Sequence, residues 1–384
     1  MKRNRLPALL LALSLLLCLA ACAAPGGTPA TDAPVTAAPA TAAPATAAPE
    51  ATPVPATAEP APTTREFTDS TGRTVTLPAE ITRIAVSGPL TQIAVFALAP
   101  DLLVGISNAW DPGAEDYFAP QYYNLPILGQ LYGGKGEMNL EELLAADPDL
   151  VLDVGEAKDS IREDMDKLTE QTGIPFLHID AHTDTMGEAF RTLGDLLGLE
   201  AEAAPLADYC DQLMAKAESV LAQVGEENKV RALYLLGDTG LNVIARGSYH
   251  AEIIDLLTEN LAVVDSPSSK GTGNETDMEQ LLLWDPDFII FSYDSIADQV
   301  GEDPSWQQLT AIQNGNYAKA PYGPYNWMGF PPSVQRYLGV LWLLDTLYPE
   351  AAQLDLRSEV DRYYDLFYHC ALTDAQYEGI VGSK

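Results

Sequence analysis

The chain has 384 residues, 47% of them hydrophobic and 20% charged, with a formal net charge of −34 at pH 7. That length leaves room for two ordinary domains, and the charge excludes a nucleic-acid partner, whose phosphates need a basic face. Four cysteines are too few for a disulfide-dependent scaffold of this size.

Residues 1–21 read as a processing signal. A basic "MKRNR" precedes the apolar run "LPALLLALSLLLCLA", which is too short to span a bilayer and stay there. The run ends in "LAAC", with small residues directly before Cys22. This resembles a bacterial lipoprotein signal, in which cleavage leaves Cys22 as a lipid-modified N-terminus. Residues 22–64 are almost wholly Ala, Pro and Thr. They lack the large side chains a core needs, so they are expected to form a disordered, semi-rigid spacer. Anchor and spacer together imply an extracytoplasmic protein, tethered to the cell membrane and held at a distance from it.

The folded part begins with "REFTDSTGRTVTLP", whose alternation around "DSTGR" predicts a hairpin. Short apolar runs follow at 83–88, 102–107, 126–129, 150–155 and 175–180, with helical patterns at 139–146 and 159–171. Strands alternating with helices predict a parallel sheet covered on both faces. The same plan recurs further on. Strand-like runs occupy 230–237, 241–247, 261–266 and 287–293, and 251–260 reads as a helix. Between the halves, apolar residues at helical spacing (Leu206, Leu213, Val220 and Leu221) follow a Gly198 break. They predict one connecting helix of about 25 residues, nearly 40 Å long, stiff enough to restrict lobe closure. The chain therefore divides into a first lobe over 65–198, a connecting helix over 199–228 and a second lobe over 229–384. The fold class is α/β, two Rossmann-like lobes with parallel sheets.

One joint is repeated. "NLEELLAADPDLVL" at 139–152 returns as "DMEQLLLWDPDFII" at 277–290. In each copy Asn139 or Asp277 caps a helix, and Glu141 or Glu279 sits in its first turn, favourably placed at the positive end of the helix dipole. Leu140, Leu143 and Leu144, like Met278, Leu281 and Leu282, follow an i, i+3, i+4 pattern that predicts an inward face. Pro148 and Pro286 stop the helix. Structural grammar explains all of this as well as function does.

Taken together, "DSTGRTVTLPAEITRIAV", "GEMNLEELLAADPDLVL", "ETDMEQLLLWDPDFII" and "AIQNGNYAKAPYGPYNWMGFPPSVQRYLGVLWLLDTLYPE" resemble the substrate-binding proteins of ABC importers for iron-siderophores, haem and cobalamin. The resemblance is collinear over roughly 66–352, with the binding domain itself at about 82–352. It implies two Rossmann-like lobes on one long helix, a permease and its ATPase as partners, a monomer, no catalysis and no resident cofactor. It also implies that Glu141 and Glu279 dock onto arginines of the permease.

Ligands of two-lobed α/β proteins lie between the lobes, at loops beyond the carboxyl ends of the strands. The aromatics Trp110, Tyr132, Tyr249, Tyr293, Tyr325 and Trp327 fall in those loops and suit a planar or metal-chelate ligand. Of the cations there (Lys135, Lys158, Arg246 and Lys270), Arg246 is the first choice for an anion because of its planar fork. Lys135, in "YGGKGE", reads as solvated in a loop that lacks P-loop spacing. A bare-metal site would draw on His178, Asp180 and His182, with His250 and His369 the only other histidines; four histidines weigh against it. The leading expectation is a carrier for a ferric chelate, haem or cobalamin. A molybdate or tungstate carrier is the alternative within the fold, and a surface sensor or adhesin the alternative outside it. A nucleotide-dependent enzyme is disfavoured, since no G-x-G-x-x-G follows a strand. Pairing of Cys210 with Cys370 stays open.

Overall fold

Strands β1 (Thr64–Thr68) and β2 (Thr74–Pro78) form the expected antiparallel hairpin. The Asp69 carboxylate closes its turn by accepting from the Thr71 and Arg73 amides, both at 3.0 Å. The computed structural model describes residues 63–132 and 137–382. The processing signal, Cys22, the Ala/Pro/Thr spacer and Lys135 lie outside the described residues.

The first lobe is built on three parallel strands, β3 (Ile84–Val86), β4 (Leu150–Gly155) and β5 (Phe176–Asp180), in the order β3-β4-β5. All are buried almost throughout, as continuous apolar runs in a covered parallel sheet should be. Residues 102–107 and 126–129 are not strands. They contribute only single bridges, Ile84 to Leu103 and Ile106 to Ile127, because Pro126 donates no hydrogen bond and Gly105 lies against Leu128 with no room for a side chain.

The second lobe carries β6 (Arg231–Leu236), β7 (Asn242–Val243), β8 (Glu259–Asn260), β9 (Asn274–Glu275), β10 (Phe288–Phe291) and β11 (Tyr317–Lys319). Its order is β11-β10-β6-β7-β9, with β8 also paired to β6. The β6–β8, β6–β10 and β10–β11 pairings are parallel, but β7 runs antiparallel to both its neighbours, β6 and β9. This corrects the all-parallel expectation for 241–247. Only a short turn separates β6 from β7, with Gly237 and Gly240 both at positive φ (78° and 68°), and such a turn cannot make a parallel crossover. Residues 261–266 also leave the sheet after Leu261 bonds Ala232. Strand β11, half-buried along its length, escaped sequence reading because "YAK" has no apolar run.

The connecting helix spans Glu200–Val224, 25 residues, and begins after Gly198, whose φ of 68° ends the preceding helix. Ala203, Leu206, Cys210, Leu213, Ala217 and Val220 form its buried stripe. The helix Arg336–Leu347 is buried along most of its length, and the helix Leu356–Tyr368 crosses to the first lobe. There Tyr368 meets Phe118 at 5.7 Å and His369 meets Phe96 at 5.6 Å, edge to face. One hydrophobic cluster thus runs from the first lobe through the connecting helix into the C-terminal helices, so the segment after β11 buttresses both lobes. Cys210 and Cys370 are free thiols.

Candidate functional site: the lobe seam and the paired helices

The first lobe's strand-end loops and the helix Pro89–Leu98 meet the second lobe through a set of hydrogen bonds. Ser333 donates to Leu90 O at 2.9 Å, Tyr322 Oη to Asp111 Oδ2 at 3.1 Å, and Tyr249 Oη to Ala181 O at 2.9 Å. The last contact adjoins a charged cluster. Arg336, buried at the start of its helix, donates through Nη1 to Glu252 Oε2 at 2.6 Å and through Nη2 to Tyr249 O, and its guanidinium lies 4.5 Å from the Tyr249 ring centroid. Glu252 also accepts from the Thr183 amide at 2.9 Å and hydroxyl at 2.6 Å, and it faces His182 Nδ1 at 2.5 Å. A carboxylate of the second lobe is therefore held by two residues of the first.

Electrostatics follow from this geometry. Burial works to raise the Glu252 carboxyl, but Arg336, Thr183 and His182 together hold it below its ordinary value. Burial works to lower His182, and the Glu252 carboxylate, with Asp180 and Asp184, carries it above its ordinary value. His250, stacked on Phe330 at 5.0 Å, is pushed down to about 4 by burial, Arg336 and Lys158. Arg336 Nε, His250 Nδ1 and Ser248 Oγ are buried without a hydrogen-bond partner among the described residues. Gly329, at φ 89°, leaves the space beside Arg336 Nε that a Cβ would take, 2.8 Å away. Buried polar groups rarely stay unpaired, and of these Arg336 Nε is a donor only.

Several expected cleft residues lie elsewhere. Trp110 is a core residue whose indole donates to Tyr122 O at 2.9 Å and packs on Phe96 and Phe118. Tyr325 and Trp327 are likewise buried in the main core, with Trp327 Nε1 donating to Gly323 O. Large aromatics in a Gly/Pro loop gain most by folding inward, and here that loop is a plug rather than a rim. Tyr132 bonds Asp164 within its own lobe at 2.9 Å. Arg246 lines an acidic groove with Glu226, Glu227, Lys229, Asp255, Thr258 and Glu259, which shares none of the residues bridging the lobes. The antiparallel run of β7 is what carries it there. Tyr249 lies on the seam, and Tyr293, 40% exposed, stacks on Tyr322 at 4.0 Å beside it. Lys158 pairs with Glu156 at 2.6 Å. His178 turns to Asp153 at 2.7 Å, and no group of His, Cys, Asp and Glu among the described residues is placed to hold a metal ion. Sequence reading missed Arg336 because it sits in an apolar helical pattern that looks like core. Its one signal was a lone charge in "SVQRYLGVLWLL".

The repeated joint has a repeated structure. The helices Leu140–Ala146 and Met278–Trp284 are capped by the Asn139 and Asp277 side chains. Both end in an aspartate with left-handed backbone, Asp147 at φ 46° and Asp285 at φ 44°. Arg83 bonds the Ala146 and Asp147 carbonyls, and Arg231 bonds those of Trp284 and Asp285. Arg83 directly precedes β3 and Arg231 opens β6, so each short helix is locked to its sheet. Glu141 and Glu279 are exposed. The inward face is narrower than the spacing predicts: Leu143 and Leu281 are fully buried, but Leu144 is 49% exposed and Leu282 36%. A helix of two turns, seated on one buried leucine, turns its i+4 position outward.

Two α/β lobes on one connecting helix, with a polar seam at their strand ends, define the two-lobed solute-binding class. The match to the family described as periplasmic binding protein covers residues 101–321. An ABC transporter solute binding protein from Sulfurospirillum deleyianum superposes with a TM-score of 0.76 at 28% identity, covering 83% of this chain and 99% of its own. A periplasmic solute binding protein from Veillonella parvula gives 0.67 at 27%, covering 83% and 97%. The molybdate-bound MolA of Haemophilus influenzae shares the fold, with a TM-score of 0.62 at 21% identity over 80% of this chain and 99% of its own. No curated protein matches the chain. The chain belongs to the periplasmic binding protein family, whose members are extracytoplasmic solute-binding components of ABC transporters. Among the described residues no helix is long and apolar enough to cross a membrane.

Proposed function

We propose that this protein captures an anionic metal chelate of the ferric-siderophore type between its lobes and delivers it to a permease and its ATPase. The observation that carries this reading is Arg336, a buried guanidinium at the lobe seam with Nε unpartnered and two further unpartnered polar atoms, His250 Nδ1 and Ser248 Oγ, nearby. With its Nη groups held by Glu252 and Tyr249 O, Arg336 has Nε left to donate to an acceptor of the solute, and the stacked Tyr293–Tyr322 pair offers ring faces to an aromatic chelator. Tyr249 and Tyr293 remain from the residues expected on sequence grounds, joined by Arg336, His250 and Ser248. Glu141 and Glu279 dock the loaded protein on the permease. Cys22 carries the lipid, the spacer sets the reach, and the protein acts as a monomer.

A molybdate or tungstate carrier is the second reading, favoured by the closeness of the lobes, which bridge directly through Tyr249 to Ala181 and Arg336 to Thr183. A relative of the same fold is described as bound to molybdate.

The test is a thermal-shift screen of the full chain against ferric catecholate and hydroxamate siderophores, haemin, cobalamin, molybdate and tungstate. A solute at a hundred times its Kd adds about 2.7 kcal/mol to stability. A shift with ferric chelates that is lost in Arg336→Met upholds the first reading. A shift with molybdate or tungstate alone replaces it with the second. A shift with neither chelates nor oxyanions overturns both and leaves display or sensing as the role.

A further inference from the structure

Six large apolar side chains are exposed among the described residues, and three of them, Leu144, Leu282 and Leu283, lie on the two short helices that carry Glu141 and Glu279. Leu283 is 79% exposed. We infer that each lobe presents a composite contact, an aliphatic knob beside a carboxylate, and that its occupant is a membrane permease with two like halves. Each half would offer an apolar pocket with a basic group at its edge. The inference rests on the docking role proposed for Glu141 and Glu279 and extends it.

Three observations carry it. First, the arrangement is repeated. Leu144 follows Glu141, and Leu282 follows Glu279, at the same i+3 offset on helices of the same length, so glutamate and leucine stand on one helix face. Scattered exposed leucines need no explanation, but the same leucine exposed at the same place in both lobes does. Second, both glutamates are exposed and no ion-pair partner of either occurs among the described residues, so both carboxylates stand open to a cation. A basic group on the partner would complement each of them. Third, the helices are held stiffly. Arg83 and Arg231 tie down their C-terminal carbonyls, and Leu143 and Leu281 seat them in the core. Preorganised side chains lose little entropy on docking, and an apolar centre beside a charge is the usual anatomy of an energetic contact.

The test uses the permease–ATPase complex of the same cell in lipid nanodiscs and titrates it with the full chain, reading ATPase stimulation and binding. Leu144→Ser with Leu282→Ser is expected to weaken association by about tenfold or more. Leu144→Met with Leu282→Met should restore it, and the thermal stability of both variants should match the parent. Parent-like association of the serine variant, with the parent chain itself binding the complex, overturns this inference and leaves the docking glutamates standing. Absence of binding by the parent chain overturns the docking reading itself.

Discussion

Replacing Arg336 by Met should destabilise the fold and do so in a pH-dependent way. The side chain is almost fully buried, and its partner Glu252 is mostly so. Methionine keeps much of the volume but leaves Glu252 with only Thr183 and His182 to hold its charge. Breaking a buried pair on one side costs about 3–5 kcal/mol. The two remaining partners reduce that cost, so about 2–4 kcal/mol is expected at pH 7. Glu252 titrates below its ordinary 4.5 in the parent. A depressed carboxyl contributes stability above its unfolded pKa and loses it as pH falls through the folded one. The gap between parent and variant should therefore narrow below about pH 4, as Glu252 takes up a proton and no longer needs the guanidinium. Arg336→Met with Glu252→Gln should recover part of the loss at neutral pH, and urea denaturation of the four proteins gives the cycle. A loss under 1 kcal/mol at pH 7, or a gap independent of pH, would refute the view that this pair holds the seam.

Glu141→Arg with Glu279→Arg should abolish uptake and ATPase stimulation while solute affinity, measured by calorimetry, stays at the parent value; a weakened affinity would remove the docking role. Arg246→Ala should leave solute binding unchanged, because its groove is separate from the seam, and a tenfold rise in Kd would return it to the site. His250 is held near 4 in the fold against an ordinary 6.5, so the unfolded chain binds a proton first as pH falls. Stability is lost between about pH 7 and pH 4, roughly 2 kcal/mol of it by pH 5. His250→Asn should flatten that part of the pH profile in denaturant titrations, and an unchanged profile would sink the assignment.

The strands β3, β4, β5, β6 and β10 were legible because each is a short apolar run bounded by turn residues, and the connecting helix because its stripe keeps helical period. The antiparallel β7 was not, since its direction depends on two glycine backbones rather than on side-chain pattern. That one reversal also misplaced Arg246. Trp110, Tyr325 and Trp327 were read as rim because loop residues usually face water; their burial reflects tertiary packing that local sequence does not encode. The repeated Asp-Pro-Asp was visible, but the arginines that make it a clamp, Arg83 and Arg231, lie 64 and 54 residues from the carbonyls of Asp147 and Asp285. Such pairings emerge only when strand and helix ends meet.

Those clamps have a geometric consequence. Glu141 is rigid with respect to the first sheet and Glu279 with respect to the second, while the sheets are joined through the connecting helix and the C-terminal buttress. Any rotation of one lobe against the other thus appears at the surface as a change in the spacing between two carboxylates, with their local surroundings unchanged. The pair works as a caliper, converting the closure of a buried seam into a single outward length that another molecule can gauge.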